Sequence, residues 1–475
     1  MVGWGTRETR EGKRNFVADI ITIIGAVAGL FTIAGGIYGF QRWFSGKNAK
    51  KLEAQETRKA NARNGYDRAL SNLGSGDITI RVGAILALER LMQDYGDHRK
   101  MVIETLATYV RFQSIENHEE QEKTAKEEEG HMDEKSEPPT DIQAAFTVLG
   151  RRFEWDKEYR NYTVDLNGAY LAGIKGKGLH FEGAAFNFAH MEKAIFETCS
   201  FDGGAFRGAM LPAARFIGAC SCNQTDFYGA TLDNALLANI EGSGAIFQLA
   251  SCRNIIFSKA KLQQTSFVGA QCQDADFYNV DMTGADCRQG RFERAGFRPS
   301  SYSVTGIITE HTRAAAAEAA KTNLARANFY KASLTDAQFQ SVICEETNFA
   351  GAFLDGIRPF DVTFKESKME GAYYRILGGW YNRLLTREQL DTMINLDDWA
   401  ATLEENIPAE RLEDLKQHVE PENTFWDGDE GKPEWGFEAE SRRLDASPPV
   451  AQQRLTGEQL FEVIRYMKFR RPSER

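Results

Sequence analysis

Three groups of residues in this chain have types or spacing that could support chemistry. Cys220 and Cys222 stand two apart, residues 173–178 hold three glycines and two lysines, and seven histidines are spread along the chain. The cysteine pair has neither the spacing nor the histidine partners of a zinc site. The glycine-rich segment lacks the strand-to-helix context of a phosphate loop. We therefore expect no catalytic residue, no cofactor and no metal, in a protein that is not an enzyme.

The backbone structure that would have to position such residues follows a sequence repeat of five residues. Between Val164 and Arg375 a large apolar residue recurs at every fifth position, usually with a small residue two places before it. Interruptions divide the repeats into three blocks, of which the first ends at Ser221 and the second begins at Phe227. The three blocks together contain 38 positions for a large residue, and these positions hold 17 of the 31 phenylalanines. This period fits neither a helix nor a strand. It predicts stacked coils whose five-residue units each form one side and one corner.

The repeated strings identify a family. Residues 184–188 (AAFNF), 270–274 (AQCQD) and 327–331 (ANFYK) resemble pentapeptide-repeat proteins. The resemblance implies a mainly β fold, a right-handed quadrilateral β-helix with four repeats per coil. At about 4.8 Å per coil, the repeats would form nine to ten coils and a rod roughly 45 Å long. As repeat positions, His180 and His190 are expected at corners of the coil, as ordinary surface residues.

A stretch of 21 residues without a charge, Ile20 to Phe40, predicts a transmembrane helix. At about 1.5 Å per residue it spans roughly the thickness of a bilayer core. A buried core helix would be shorter, and a cleaved signal peptide would end in a small-x-small site. Two GxxxG pairs in the span would permit a homo-oligomer, although glycine is also common in membrane helices; they consist of Gly25, Gly29, Gly35 and Gly39.

The flanks of this span and the cysteines favour one orientation. Six basic residues follow the span and four precede it, which favours a single-pass protein of the inner (cytoplasmic) membrane with its body in the cytoplasm. The cysteines take repeat core positions, where they would be inert hydrophobes. Their pattern is not that of a disulfide framework.

The remaining chain divides around the rod. A helical module resembling a HEAT-like hairpin is expected to join the membrane to the rod. An acidic run from Glu116 to Glu137, with a net charge of minus seven, predicts a disordered loop. His118 lies in that run, where a solvated charge run is favoured over a loose cation site. Thr386 and Thr456 each open a capping box in a C-terminal helical cap. The predicted segments are an N-terminal tail (1–19), the membrane helix (20–40), the helical module (50–113), the acidic loop (114–140), an N-capping helix (141–150), the β-helix (164–297 and 322–375), an insertion (298–321) and the cap (376–475).

These features favour a bacterial, membrane-anchored scaffold that uses its rod for protein–protein interaction. One alternative is a membrane effector whose span oligomerises and perturbs the bilayer. A second follows from the resemblance, because some pentapeptide-repeat proteins mimic duplex DNA and bind DNA gyrase. Mimicry needs a strongly acidic rod, whereas residues 164–375 hold 22 acidic and 20 basic residues, so nucleic-acid mimicry is disfavoured. All four faces carry mixed charge, so the sequence does not select the binding face or name the partner.

Overall fold

The computed structural model describes residues 53, 55–127, 137–151, 162–297, 321–357, 359–374 and 384–396, with short pieces at 400–401, 403–404, 409–417, 459, 463–465 and 467–468. The predicted membrane span with its four glycines lies outside these residues, as does nearly all of the predicted insertion. Among the helices that are described, none is long and apolar enough to cross a membrane.

A helical module precedes the rod. Asp77 caps its second helix, because the carboxylate accepts a hydrogen bond from the Thr79 backbone N–H at 2.7 Å. Leu88 and Leu106 have no exposed surface and lie in the core that the helices share. The helices before the rod are α1 (55–73), α2 (Ile78–Asp94), α3 (Arg99–Glu127) and α4 (Thr140–Arg151), with a 3₁₀ turn at Gly96–His98.

The acidic segment differs from the disordered loop predicted over 114–140. Helix α3 continues to Glu127, so the prediction is wrong up to that residue, and the next nine residues lie outside the described chain. Helix α3 contacts the rod at this point: the Ser114 hydroxyl accepts a hydrogen bond from the Tyr170 N–H at 3.0 Å. The His118 ring stacks on the Tyr170 ring, with centroids 3.9 Å apart. Such long-range contacts cannot be read from local charge composition.

A buried carboxylate joins three of these helices. Asp141, at the start of α4, is fully buried and accepts a hydrogen bond from the Arg81 guanidinium of α2 at 2.6 Å. The Tyr109 hydroxyl of α3 donates a second hydrogen bond to the same carboxylate. Burial, reinforced by this hydrogen bond, raises the pKa of the Tyr109 phenol above its usual value. The interaction fixes α2, α3 and α4 relative to one another.

The rod is built of very short parallel strands and isolated parallel bridges. The rod strands are β1 (Lys175–Lys177), β2 (Ile195–Glu197), β3 (Arg215–Ile217), β4 (Gly296–Phe297), β5 (Thr322–Asn323), β6 (Gln338–Ile343), β7 (Phe360–Thr363) and β8 (Tyr373–Tyr374). Strands β1, β2 and β3 pair in that order, β4 and β5 pair with β6, and β7 pairs with β6 on its other edge.

The pairing divides the rod into four faces. Paired residues are generally 20 positions apart, so every coil contains four five-residue sides. We number the faces by their first paired residue: Asp165 for face 1, Tyr170 for face 2, Lys175 for face 3 and His180 for face 4. The face 1 column has ten members and ends at Lys368, which gives between nine and ten coils. The predicted β-solenoid is therefore confirmed.

The break in the period lies one repeat earlier than predicted. Ser221, taken as a core position, is outward-facing and pairs with Ser200, whereas Cys222 is fully buried. The extra residue is accommodated at the preceding corner, where Gly218 and Ala219 both have positive φ, 71° and 58°. The sequence obscured this shift because cysteine at the core position does not stand out as a large residue.

Phenylalanine rings fill the axis of the rod. On face 1, Phe206, Phe227, Phe247 and Phe267 stack on successive coils with centroid separations of 5.1, 4.9 and 5.0 Å. All four rings are fully buried. Burial of each such side chain contributes about 1.5–3 kcal/mol before the loss of conformational entropy. The interior thus provides a rigid support for the outward-facing side chains.

Helix α4 covers the first coil. Phe146 packs on Phe181 with ring centroids 4.6 Å apart. The Gln143 side chain accepts a hydrogen bond from the Lys175 N–H at 2.9 Å and donates one to the Lys175 carbonyl at 2.7 Å. These contacts satisfy backbone groups at the edge of the first coil and shield it from pairing with another chain.

The last coil is covered by elements that follow the rod. They are α5 (Arg387–Asp391), β9 (Ile394–Asn395) and α6 (Ala409–Gln417), and β9 pairs parallel with β8. The predicted capping box at Thr386 is confirmed, with Gln389 as its partner. The Gln389 amide also donates to the Ser367 carbonyl at 2.8 Å. The second predicted capping box, at Thr456, lies outside the described residues.

Candidate interaction surface

The cysteines lie in the rod core and not in a site. All seven are free and buried. Burial raises the pKa of the Cys199 thiol to about 12, and it raises the pKa of Cys222 and Cys287 well above the usual value. These thiols are therefore protonated and unreactive near neutral pH. Within the described chain, no three histidine, cysteine, aspartate or glutamate side chains are grouped as metal ligands.

The two rod histidines lie on faces and not at corners as predicted. His180 begins a side of face 4 and His190 a side of face 2, because the corner comes three residues later. The Nδ1 atom of His180 lies 3.0 Å from Glu182. The His190 ring stacks on Tyr170 with centroids 4.2 Å apart, and Tyr170 in turn stacks on α3. The stack fastens the helical module to the rod.

Each described corner of the rod uses one residue in the left-handed backbone region, except the corner at the break, which uses both Gly218 and Ala219. This corner residue follows the buried large residue by two places, with φ between 51° and 71°. Glycine and asparagine adopt this conformation readily, as Gly168 and Asn234 do here, and most other corner residues are polar. A bulky apolar side chain at a corner is therefore a departure from the pattern.

Two bulky apolar corner residues, Phe188 and Leu249, lie on face 1. Their φ values are 57° and 58°, and they are 68% and 52% exposed. The left-handed conformation costs such residues roughly 1–2 kcal/mol. Their exposed side chains recover little of this through burial within one chain. Strained residues of this kind are concentrated at functional sites.

Four of the six most exposed large apolar side chains of the described rod lie on face 1; the other two are Met210 on face 2 and Ile256 on face 3. Tyr228 and Tyr330 add side chains that are 42% and 38% exposed. These two tyrosines, with Phe188 and Leu249, are named the apolar strip. They lie on the second, fourth, fifth and eighth coils, so the strip extends over roughly 29 Å at about 4.8 Å per coil. A line of exposed apolar side chains on a rigid support is typical of a protein-binding surface.

Glycines in the same corner column make room for the strip. A Cβ atom at Gly208 would lie 2.7 Å from the Phe188 ring, and one at Gly269 would lie 2.7 Å from Leu249 Cδ2. Each apolar side chain therefore lies across the corner of the next coil. Gly229 belongs to the same column and has φ 62°, but a Cβ there would have no neighbour within 4 Å. The close approach therefore depends on the side chain at the corner of the preceding coil, and it also occurs on other faces, at Gly218 beside Thr198 and at Gly356 beside Asp336.

Face 1 is also electrically neutral. Arg207 pairs with Asp226 and Arg288 with Asp286, each at 2.6 Å. Its outward-facing charged residues are four acidic and four basic: Asp165, Asp226, Asp286 and Glu370, with Arg207, Arg288, Lys331 and Lys368. Face 4 carries seven acidic and three basic residues: Glu182, Asp202, Glu241, Asp281, Glu345, Glu346 and Glu366, with Lys261, Arg326 and Lys365. The strip thus lies on a face without a charge excess.

Sequence reasoning missed this surface, because repeats five residues apart fall on different faces. The signal was present at the spacing of a full coil. Read at that spacing across the break, the corner column is Phe188, Gly208, Gly229, Leu249 and Gly269. The pattern of bulky apolar residues each followed by glycine on the next coil is visible only in that alignment.

Comparison with protein families agrees with this geometry. The family model for pentapeptide repeats matches eight copies, at residues 255–294 and 312–343. The two matched segments have the sequence of pentapeptide repeats. The parallel pairing extends the same geometry from Asp165 to Tyr373, beyond the residues matched by the model. No curated protein sequence matches the chain.

Solved pentapeptide-repeat structures are similar to the rod at low identity. HetL from Nostoc sp. strain PCC 7120, involved in heterocyst differentiation regulation, is 18% identical, with a TM-score of 0.30, covering 43% of this chain and 88% of HetL. QnrB1, a plasmid-mediated fluoroquinolone resistance protein, is 18% identical in its trypsin-treated form, with a TM-score of 0.23, covering 48% of this chain and 95% of that chain. The likeness to each is weak, and the fold assignment rests on the repeat geometry.

Proposed function

We propose that the chain is a membrane-anchored, non-catalytic scaffold whose pentapeptide-repeat rod binds protein through the apolar strip. The observation that carries this proposal is the exposure of Phe188 and Leu249 in a strained backbone conformation. Neither residue is needed for the repeat, since glycine or a polar residue occupies most other corners. A partner that buried these side chains would offset the strain through the hydrophobic effect.

The anchor in this proposal is the uncharged segment at 20–40, and the body lies in the cytoplasm. Free, buried cysteines suit a reducing compartment. Tyr278→Cys, on face 3 and away from the strip, would introduce an accessible thiol for testing the orientation. A membrane-impermeant maleimide should label this variant only after the inner membrane has been opened. Labelling in intact spheroplasts would place the rod on the other side and contradict this location.

A membrane effector remains the second candidate function, supported by the GxxxG pairs of the predicted span. If the span perturbs the bilayer by oligomerising, expression of the full chain should be toxic and Gly29→Leu should abolish the toxicity. If the span is only an anchor, Gly29→Leu should leave growth and membrane association unchanged. Immunoblotting of the membrane fraction confirms that both proteins are present at the same level.

DNA mimicry has less support from the charge distribution. Face 1 has equal numbers of acidic and basic side chains, and the acidic excess of face 4 is spread along the whole rod. A DNA mimic needs closely spaced negative charge, because duplex DNA carries about one charge per 1.7 Å. The apolar strip is instead suited to desolvation by a protein surface.

Site-specific photocrosslinking in cells tests the scaffold function. A photoreactive residue replaces Tyr228 on the strip or, as a matched control, Tyr278, which occupies the same repeat position on face 3. Crosslinks to protein should form at position 228 and be scarce at position 278, and mass spectrometry identifies the species attached. Equal crosslinking at both positions, or none at position 228, would contradict binding through the strip.

A further inference from the structure

We propose that the apolar strip binds the apolar strip of a second copy of this chain, with the two rods side by side and pointing in the same direction. This inference rests on the proposed function, since it names the partner of that surface. Three properties of face 1 favour a second copy: the spacing of the strip, its charge and the direction imposed by the membrane.

The spacing of the strip follows the pitch of the rod. Phe188 and Leu249 are separated by three whole coils, and Tyr228 lies one residue before Gly229 of the same column, so the three heights along the axis are close to multiples of the coil spacing. A partner must match that spacing over about 29 Å to cover the strip continuously. A second copy has the same pitch along its whole length. Its side chains therefore remain in register from the second coil to the eighth.

The charge of face 1 permits two copies to approach each other there. The chain has a formal net charge of minus eleven, so two copies repel each other over most orientations. On face 1 the charges of two arginines are already balanced by aspartates of the same chain, in the ion pairs Arg207–Asp226 and Arg288–Asp286. Lys331 lies over the Tyr330 ring, with Nζ 5.2 Å from its centroid. Face 4, with its acidic excess, would place like charges against each other.

Attachment to one membrane fixes the relative direction of the rods. Two copies anchored through residues 20–40 have rods that begin at the same surface, so a twofold axis relating them runs along the rods. Such an axis places each coil opposite the same coil of the partner. Tyr228 then faces Tyr228 of the second copy. Confinement to the membrane also raises the effective concentration of the two strips.

Disulfide crosslinking in native membranes tests this arrangement. The variant is Tyr228→Cys in the full chain, and the matched control is Tyr278→Cys on face 3. The background is low, because all seven natural cysteines are buried. Mild oxidation should convert Tyr228→Cys into a disulfide-linked homodimer and leave Tyr278→Cys monomeric. Equal dimer formation by the two variants, which is the result of random collision, overturns the proposal.

A second variant separates association from folding. Phe188→Gly and Leu249→Gly together, in the Tyr228→Cys background, remove two strip side chains and place a suitable residue at each left-handed corner. The yield of homodimer should fall about tenfold or more, as for loss of central contacts in an interface. The melting temperature should not decrease. An unchanged homodimer yield with an intact rod overturns the proposal.

Failure of this inference and failure of the scaffold function give different results. If position 228 crosslinks to another protein but forms no homodimer, the strip binds a different partner and the second-copy proposal is overturned alone. If position 228 gives neither a homodimer nor a protein adduct, both proposals are overturned. A homodimer at position 228 with none at position 278 supports both.

Discussion

Faces 1 and 3 lie on opposite sides of the rod and have the same corner backbone with different side chains. Asn239 and Lys259 on face 3 have φ values of 60° and 62°, close to those of Phe188 and Leu249 on face 1. The interior is also alike, with buried phenylalanine on both faces. The repeat therefore determines the core and the backbone and leaves the outer side chains free to vary. Departures from typical corner residues mark the apolar strip, which we propose as the binding surface.

The largest difference in the free energy of unfolding is expected between a substitution inside face 1 and one on its outer surface. Phe247→Ala should lower the free energy of unfolding by about 3–5 kcal/mol, because it leaves a cavity among stacked rings. Phe188→Ala should change it by less than about 1 kcal/mol, because the side chain is largely exposed. Urea unfolding of the full chain in detergent measures both. A large destabilisation by Phe188→Ala would show that this residue serves folding.

The next contrast compares binding by faces 1 and 3. Tyr228→Ala should weaken the complex formed in cells by about 1–3 kcal/mol, since central aromatic residues dominate many interfaces. Tyr278→Ala, at the same repeat position on face 3, should leave it nearly unchanged. The amount of complex recovered on native gels from mild detergent, with the two variants at equal expression, measures the difference. Equal losses would indicate that the effect is not specific to face 1.

A smaller contrast distinguishes two glycines in one corner column. Gly208→Ala should destabilise the rod by about 1–2 kcal/mol, because it strains the left-handed backbone and displaces the Phe188 ring. Gly229→Ala has the backbone strain without the clash and should cost less. Thermal unfolding of both variants gives the difference. In the Phe188→Gly background, Gly208→Ala and Gly229→Ala should destabilise the rod equally. If Gly208→Ala still costs more there, the Phe188 contact is not the cause of the difference.

The smallest contrast tests the corner strain directly. Phe188→Gly should raise the free energy of unfolding by roughly 0.5–1 kcal/mol, because glycine adopts positive φ without steric cost. Asn239→Gly on face 3 should have a smaller effect, since asparagine tolerates this region. The comparison uses denaturant midpoints at equal protein concentration. A clear loss of stability in Phe188→Gly would mean that the ring stabilises the isolated rod more than its backbone strains it.

The sequence predicted the interior of the rod better than its exterior. Core positions such as Phe227 and Phe247 recur every five residues, and burial selects them wherever the coil turns, so their pattern is local. The pattern predicts the break one repeat too late, after Ser221 and not at the corner before Cys222, because cysteine and serine both differ from the usual large residue. The contact of His118 with Tyr170 joins residues distant in sequence, and no local pattern indicates it.

The apolar strip could have been predicted only after the coil length was fixed. Phe188 and Leu249 are separated by three coils, and the break in the period lies between them. At the spacing of single repeats they are two apolar residues among many polar ones. Their exposure depends on the corner geometry, which places the side chain outside the coil.

The most direct test of the binding surface is the accessibility of the strip inside cells. The rate of thiol labelling by a membrane-permeant maleimide is measured for Tyr228→Cys and for Tyr278→Cys, first in intact cells and then on purified protein at high dilution. The account predicts that position 228 is labelled much more slowly in cells than after dilution, whereas position 278 is labelled at similar rates. Equal accessibility of position 228 in both conditions would show that nothing covers the strip and would contradict the account.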